Sequence, residues 1–123
     1  MNLFPKVLVV DDEPDIVEIL RYNLQKQKFS VLTASNGNEA LEIALVEIPD
    51  LIILDVRMPG MTGIETCRKM RTFDSLKDIL VLFLTADTDE YTSMSAIEAG
   101  GNHFITKPIH PTILLNMIKE MTI

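Results

Sequence analysis

Acidic, hydroxyl and ammonium groups stand at the ends of four apolar runs in this chain. Asp11 and Asp12 follow the apolar part of VLVVDDEP (Val7 to Pro14), and Asp55 follows that of LIILDVRMPG (Leu51 to Gly60). Thr85 closes the run in VLFLTA (Val81 to Ala86), and Lys107 closes FITKP (Phe104 to Pro108). If these runs are parallel strands of one sheet, the groups share one edge, where open sheets of this kind bind ligands. Carboxylates gathered there repel one another, so some hold a proton unless a cation neutralises them. A hard divalent ion with oxygen ligands meets that need, and Mg²⁺ is the usual cellular choice. Thr85 and Lys107 add donors suited to phosphoryl oxygens.

Each group also has a plainer reading. Taken alone, Asp11-Asp12-Glu13-Pro14 reads more readily as the acidic start of a helix than as a metal site. Asp55 shifts that balance, because Met58-Pro59-Gly60 intervenes before any helix can start. Thr85 alone suits a strand end by its β-branched shape. Lys107 alone is a solvated lysine in a turn, although Pro108 restricts its backbone. The combination on successive strand ends is more specific than any member.

The elements that must position these residues are legible from the apolar pattern. Val7–Val10, Phe29–Ala34, Leu51–Val56, Leu80–Thr85 and His103–Thr106 read as strands. The first, third and fourth are apolar without alternation, as in strands covered on both faces. Between them, Ile16, Ile19, Leu20, Asn23 and Leu24 have helical spacing, as do Ala40, Leu41, Ala44 and Leu45. Ile64, Cys67 and Met70 mark a third helix, opened by a capping-box pair, Thr62 and Glu65. Residues 88–99 form a weaker fourth helix that stops at Gly100, and Pro111 opens a fifth carrying Leu114, Met117, Ile118 and Met121. Alternation of β and α five times predicts an α/β fold, with right-handed crossovers and helices on both faces of a parallel sheet.

The chain of 123 residues, 47% apolar, fits one domain spanning 1–123. A net charge of −7 argues against nucleic-acid or anionic-membrane binding by this domain, since the electrostatic term is repulsive. The lone Cys67 excludes an internal disulfide and fits a reducing compartment. No stretch has membrane-spanning length, and the start lacks a signal-peptide pattern, so the expected location is the cytoplasm.

Asp11-Asp12, the LDVRMPGMTG segment around Asp55, Thr85-Ala86 and Lys107-Pro108 together resemble the receiver domain of two-component response regulators, over essentially the whole chain. The resemblance implies a doubly wound, flavodoxin-like (βα)5 fold with a five-stranded parallel sheet in order 2-1-3-4-5. It implies phosphotransfer from a histidine kinase or phosphotransfer protein to Asp55, in a protein that is a phosphorylation-controlled switch rather than an enzyme. Asp12 and Asp55 would then ligate Mg²⁺, Asp11 mainly through water, and the backbone carbonyl of Arg57 would complete the protein ligands. Lys107 and Thr85 would contact the phosphoryl group. Thr85 and Phe104 would report the change, the aromatic ring turning inward. The face made by the fourth helix, fifth strand and fifth helix would carry the output, possible dimerisation included. A cis Lys107-Pro108 bond is also implied.

Some positions depart from the family. Phe104 stands where many relatives carry tyrosine, so no hydroxyl is available for recognition. His103 replaces a frequent acidic residue, and His110 takes the cap position of the fifth helix, where aspartate or serine is commoner. Arg57 and Asp87 each lie two residues past a site residue and are expected to govern water access and phosphoryl lifetime. The competing enzyme reading is a Mg²⁺-dependent phosphatase of the haloacid-dehalogenase type with Asp55 as nucleophile. That family places a second acid where this chain has Arg57. A flavin module of similar topology is disfavoured, since Asp11-Asp12-Glu13 would repel its phosphate.

Overall fold

The strands form where β-branched and leucine runs can be covered from both sides. The computed structural model describes residues 5–86 and 90–122, without the side chains of 90, 91 and 122. Along the chain lie β1 (Lys6–Val10), α1 (Pro14–Lys26), β2 (Ser30–Ala34), α2 (Gly37–Glu47), β3 (Leu51–Asp55) and α3 (Gly63–Met70). A 3-10 turn at Asp74–Leu76 precedes β4 (Leu80–Thr85), α4 (Glu90–Glu98), β5 (His103–Thr106) and α5 (Pro111–Thr122). All strand pairs are parallel, in the order β2-β1-β3-β4-β5. This is the five-stranded, doubly wound arrangement the resemblance implied.

Alternate strand residues feed two cores, because successive side chains leave a strand on opposite faces. Leu8, Val10, Ile52, Leu54, Val81 and Phe83 pack with residues of α2, α3 and α4. Val7, Val9, Leu51, Ile53, Leu82 and Leu84 pack with residues of α1 and α5, among them Leu20, Leu24, Leu114 and Ile118. The central strands β1, β3 and β4 are almost wholly buried, which is why their sequences show no alternation.

Element ends differ from the sequence reading in physically simple ways. Phe29 does not open β2: its N–H donates to the carbonyl of Leu24, and Lys28, at φ 68°, turns the chain out of α1. β3 ends on Asp55 rather than Val56. Ile19, expected on the inner face of α1, is 49% exposed, whereas Leu20 and Leu24 are buried with Ile16 and Val17 against them. The described part of the fourth helix is Glu90–Glu98, shorter than 88–99, and its first two expected residues lie outside the described residues. The 3-10 turn was not anticipated, since so short an element carries no periodic signal. The Thr62–Glu65 capping box is present in both directions. His110 accepts the first bond of α5, from the N–H of Leu114.

Candidate functional site

Register brings the four strand ends to one level. Val10 pairs with both Ala34 and Leu54, Asp55 with Leu84, and Thr85 with Thr106. Backbone bonds continue the ladders past the strands. The N–H of Asp11 donates to Ala34, that of Val56 to Leu84, and that of Lys107 to Thr85 at 2.7 Å. The last bond fixes the start of the Lys107 side chain beside the end of β4. The Lys107-Pro108 peptide is cis.

The close approach of α3 to β3 also shapes the site. The N–H of Gly63 donates to the Val56 carbonyl at 2.9 Å. A Cβ at Gly63 would stand 2.0 Å from the carbonyl oxygen of Asp55, so any side chain there would push the acidic strand end out of place.

Four carboxylates and one ammonium meet in this setting. Asp11 and Asp55 are buried, at 1% and 3% exposure, whereas Asp12 is exposed. Lys107 Nζ lies 3.2 Å from Asp11 Oδ2, 3.4 Å from Asp55 Oδ1 and 3.4 Å from Glu13 Oε1. Asp11 Oδ1 accepts a hydrogen bond from the N–H of Glu13 at 2.9 Å. Burial, reinforced by the Asp11 carboxylate, pushes the Asp55 carboxyl up to about 6, although Lys107 opposes the shift. Burial tends to lower the pKa of Lys107, but Asp55 and Asp11 outweigh it and hold the ammonium above its ordinary value.

The donor set fits a small divalent cation. One oxygen from each of Asp11, Asp12 and Asp55 lies within 4.8 Å of the others. Asp11 Oδ2 is buried and accepts no hydrogen bond, although Lys107 stands nearby as an ion-pair partner. A buried carboxylate oxygen is seldom left that way without another ligand. An all-oxygen set with room for retained water suits Mg²⁺ better than a softer metal.

Thr85 is 2% exposed at the end of β4. Phe104 pairs with Phe83 in register and is 39% exposed. The Arg57 side chain is exposed in the loop after β3, and Asp87 lies outside the described residues. Glu13 was missed as a neighbour of the site. It is the N-cap of α1 but makes no side-chain cap bond, and its carboxylate faces Lys107 instead. Its place directly after two aspartates was the only signal, and a helix start explained it equally well.

This fold and this acidic strand-end cluster are those of a receiver. The family model described as "Response regulator receiver domain" matches residues 7–119, and the chain belongs to that family. Among curated relatives, the alkaline phosphatase synthesis transcriptional regulatory protein PhoP of Bacillus subtilis (strain 168) is 45% identical over 106 residues. That match takes in 86% of this chain and 43% of PhoP, so the chain spans less than half the length of this relative. Among solved structures, the chemotaxis protein CheY4 of Vibrio cholerae superposes with a TM-score of 0.92 at 34% identity, covering 96% of this chain and 98% of that one. The receiver domain of a signal transduction histidine kinase from Syntrophus aciditrophicus gives 0.88 at 33% identity, over 96% and 89%. Receivers are signalling switches that work with histidine kinases or phosphotransfer proteins. No helix among the described residues is long and apolar enough to cross a membrane.

Proposed function

We propose that this chain, across residues 1–123, is one receiver unit that accepts a phosphoryl group on Asp55 from a histidine kinase or phosphotransfer protein. The observation that carries this reading is the ammonium of Lys107 held between the buried carboxylates of Asp11 and Asp55. An Asp55 carboxylate oxygen attacks the phosphorus of a phosphohistidine whose other ring nitrogen carries a proton, the P–N bond breaks, and the imidazole leaves neutral. The product is an acyl phosphate on Asp55. Such transfer needs in-line placement and neutralised charge more than covalent help.

Mg²⁺, held by Asp11, Asp12, Asp55 and the Arg57 carbonyl, would offset charge on the phosphoryl oxygens. Lys107 exchanges its carboxylate partners for a phosphoryl oxygen, and the Thr85 hydroxyl donates to another. Movement of Thr85 frees space toward which the exposed Phe104 turns. Arg57 and Asp87 control water access to the acyl phosphate and thereby its lifetime.

The output surface is the face of α4, β5 and α5, where Met94, Ile97, Phe104 and Ile113 are exposed. Exposed apolar side chains gathered on one face suit a partner or a second copy of the chain. The setting is cytoplasmic, and the likeness to PhoP supports a transcriptional output. Incubation with a histidine-phosphorylated kinase fragment and Mg²⁺ tests the transfer. Loss of label from the kinase and its gain by wild type, but not by Asp55→Asn, is the expected result; equal gain by both would overturn the assignment.

A further inference from the structure

The turn after α4 is held from outside the helix by Arg71 and Cys67 and by β4, where the N–H of Asn102 donates to the Val81 carbonyl at 2.9 Å. Arg71, just past α3, reaches the turn between α4 and β5. Its Nε and Nη2 donate to the Gly100 carbonyl at 3.2 and 2.7 Å, and Nη2 also meets Asn102 Oδ1 at 3.3 Å. Its Nη1 donates to the carbonyls of Leu76 and Lys77, both at 3.0 Å. Asn102 Oδ1 also accepts from the N–H of Val81 at 2.8 Å, which ties the same turn to β4. One turn of α3 earlier, Cys67 Sγ donates to the Ala99 carbonyl at 3.3 Å. The carbonyls of Ser95, Ala96 and Ile97 accept from the N–H groups of Ala99, Gly101 and Gly100, while those of Ala99 and Gly100, just past α4, take their donors from Cys67 and Arg71.

The turn has no room for side chains at its two glycines. Gly100 has φ +101°, and a Cβ there would stand 3.0 Å from both Cγ and Nε of Arg71. A Cβ at Gly101 would stand 2.3 Å from the ring of Phe83. The inner face of α4 and of the turn after it is lined by the small, buried Ala96 and Ala99, while Met94 and Ile97 are 54% and 61% exposed. Buried methyl groups hold a helix lightly, so polar ties weigh heavily in its placement. The amino end of α4, at Glu90, is separated from Thr85 and Ala86 only by residues 87–89.

We infer that Arg71 is the positioning residue that fixes the carboxyl end of α4, so that α4 tilts about the Arg71–Gly100 contact when its amino end answers the site. The coupling to phosphorylation rests on the switch reading above; the anchor itself does not. A guanidinium serves this role because its planar fork reaches several carbonyls at once, whereas a lysine ammonium is a single point charge.

Hydrogen exchange read by mass spectrometry tests the anchor in the unmodified full chain. Amides at 98–102 should exchange at least about tenfold more slowly than those at 92–95, and Arg71→Gln should erase that gradient. Gly100→Ala, which crowds the Arg71 side chain and strains a backbone at φ +101°, should weaken it too. An unchanged gradient in a folded Arg71→Gln protein, or no gradient in wild type, overturns the anchor. After a small acyl-phosphate donor and Mg²⁺, with modification verified by mass, exchange in wild type should change at 90–95 and not at 98–102. In Arg71→Gln the change should extend to 102. A wild-type change spread evenly to 102 overturns the pivot. Absence of any mass gain would instead count against the switch reading, and the gradient in the unmodified protein would still decide the anchor.

Discussion

The ammonium of Lys107 lies 3.4 Å from Oδ1 of Asp55, a carboxylate only 3% exposed. The two residues come from different strand ends, and the pairing exists because β4 lies between β3 and β5 and aligns both. A buried charge pair of this kind is weak evidence for stability, since desolvation offsets much of its attraction. It is better evidence for function: the site holds charge in a state that a cation and a phosphoryl group would relieve.

The raised Asp55 pKa has a definite consequence for stability. Its ordinary value is 3.8 and its folded value about 6, so the folded chain binds the proton more tightly. Stability from this group is therefore full below about pH 4 and falls as pH rises through 6. Asp55→Asn, a neutral isostere, should match wild type at pH 4 and exceed it above pH 7 by up to about 3 kcal/mol without Mg²⁺. Urea titrations at the two pH values check this; an equal difference at both would contradict it.

Divalent cation should remove that penalty. At a Mg²⁺ concentration of about 100 times Kd, the gain is roughly 2.7 kcal/mol, which should appear as a clear rise in Tm. Asp12→Ala should lose most of the rise with little change in metal-free stability, since its side chain is exposed. Thermal melts across a Mg²⁺ series provide the measurement.

Lys107→Met should destabilise the metal-free chain by about 2–4 kcal/mol at pH 8, because two buried carboxylates lose their cation. The loss should shrink at pH 4, where Asp55 is protonated. The same variant should take up a phosphoryl group far more slowly, with Mg²⁺-induced stabilisation retained.

The strand ends were legible in the sequence because uninterrupted apolar runs stop abruptly on polar residues, and a parallel sheet leaves those stops on one edge. That logic located Asp11, Asp12, Asp55, Thr85 and Lys107 with no contact information. It failed where local chemistry mimics another element. Phe29 has strand propensity, yet it closes the turn after α1. Glu13 does cap the start of α1, but its carboxylate faces Lys107 rather than the helix. The demand for glycine at position 63 was hidden, because the obstructing atom is the Asp55 backbone oxygen across the loop. The network of Arg71 was hidden too, since its carbonyl partners in the 3-10 turn and at Gly100 carry no side-chain signature.

Gly63→Ala should therefore act on the site from beneath. Overpacking against the Asp55 carbonyl should cost about 3 kcal/mol and impair Mg²⁺ binding together with phosphoryl uptake. Denaturation midpoints and metal titrations on one preparation check both effects; full stability with intact metal binding would contradict the close approach.

Arg57→Ala and Asp87→Ala should each change the decay rate of the acyl phosphate by at least about threefold, through water access rather than metal affinity. Decay followed by mass after removal of the donor gives the rate. Unchanged decay in both variants would remove these residues from control of lifetime.

The central claim is that Asp55 is the phosphoacceptor. Intact-protein mass spectrometry after incubation with a small acyl-phosphate donor, with and without Mg²⁺, tests it most directly. A Mg²⁺-dependent gain of one phosphoryl group by wild type, absent from Asp55→Asn, is the predicted result. The same gain in Asp55→Asn, or a gain by wild type that ignores Mg²⁺, would contradict the account.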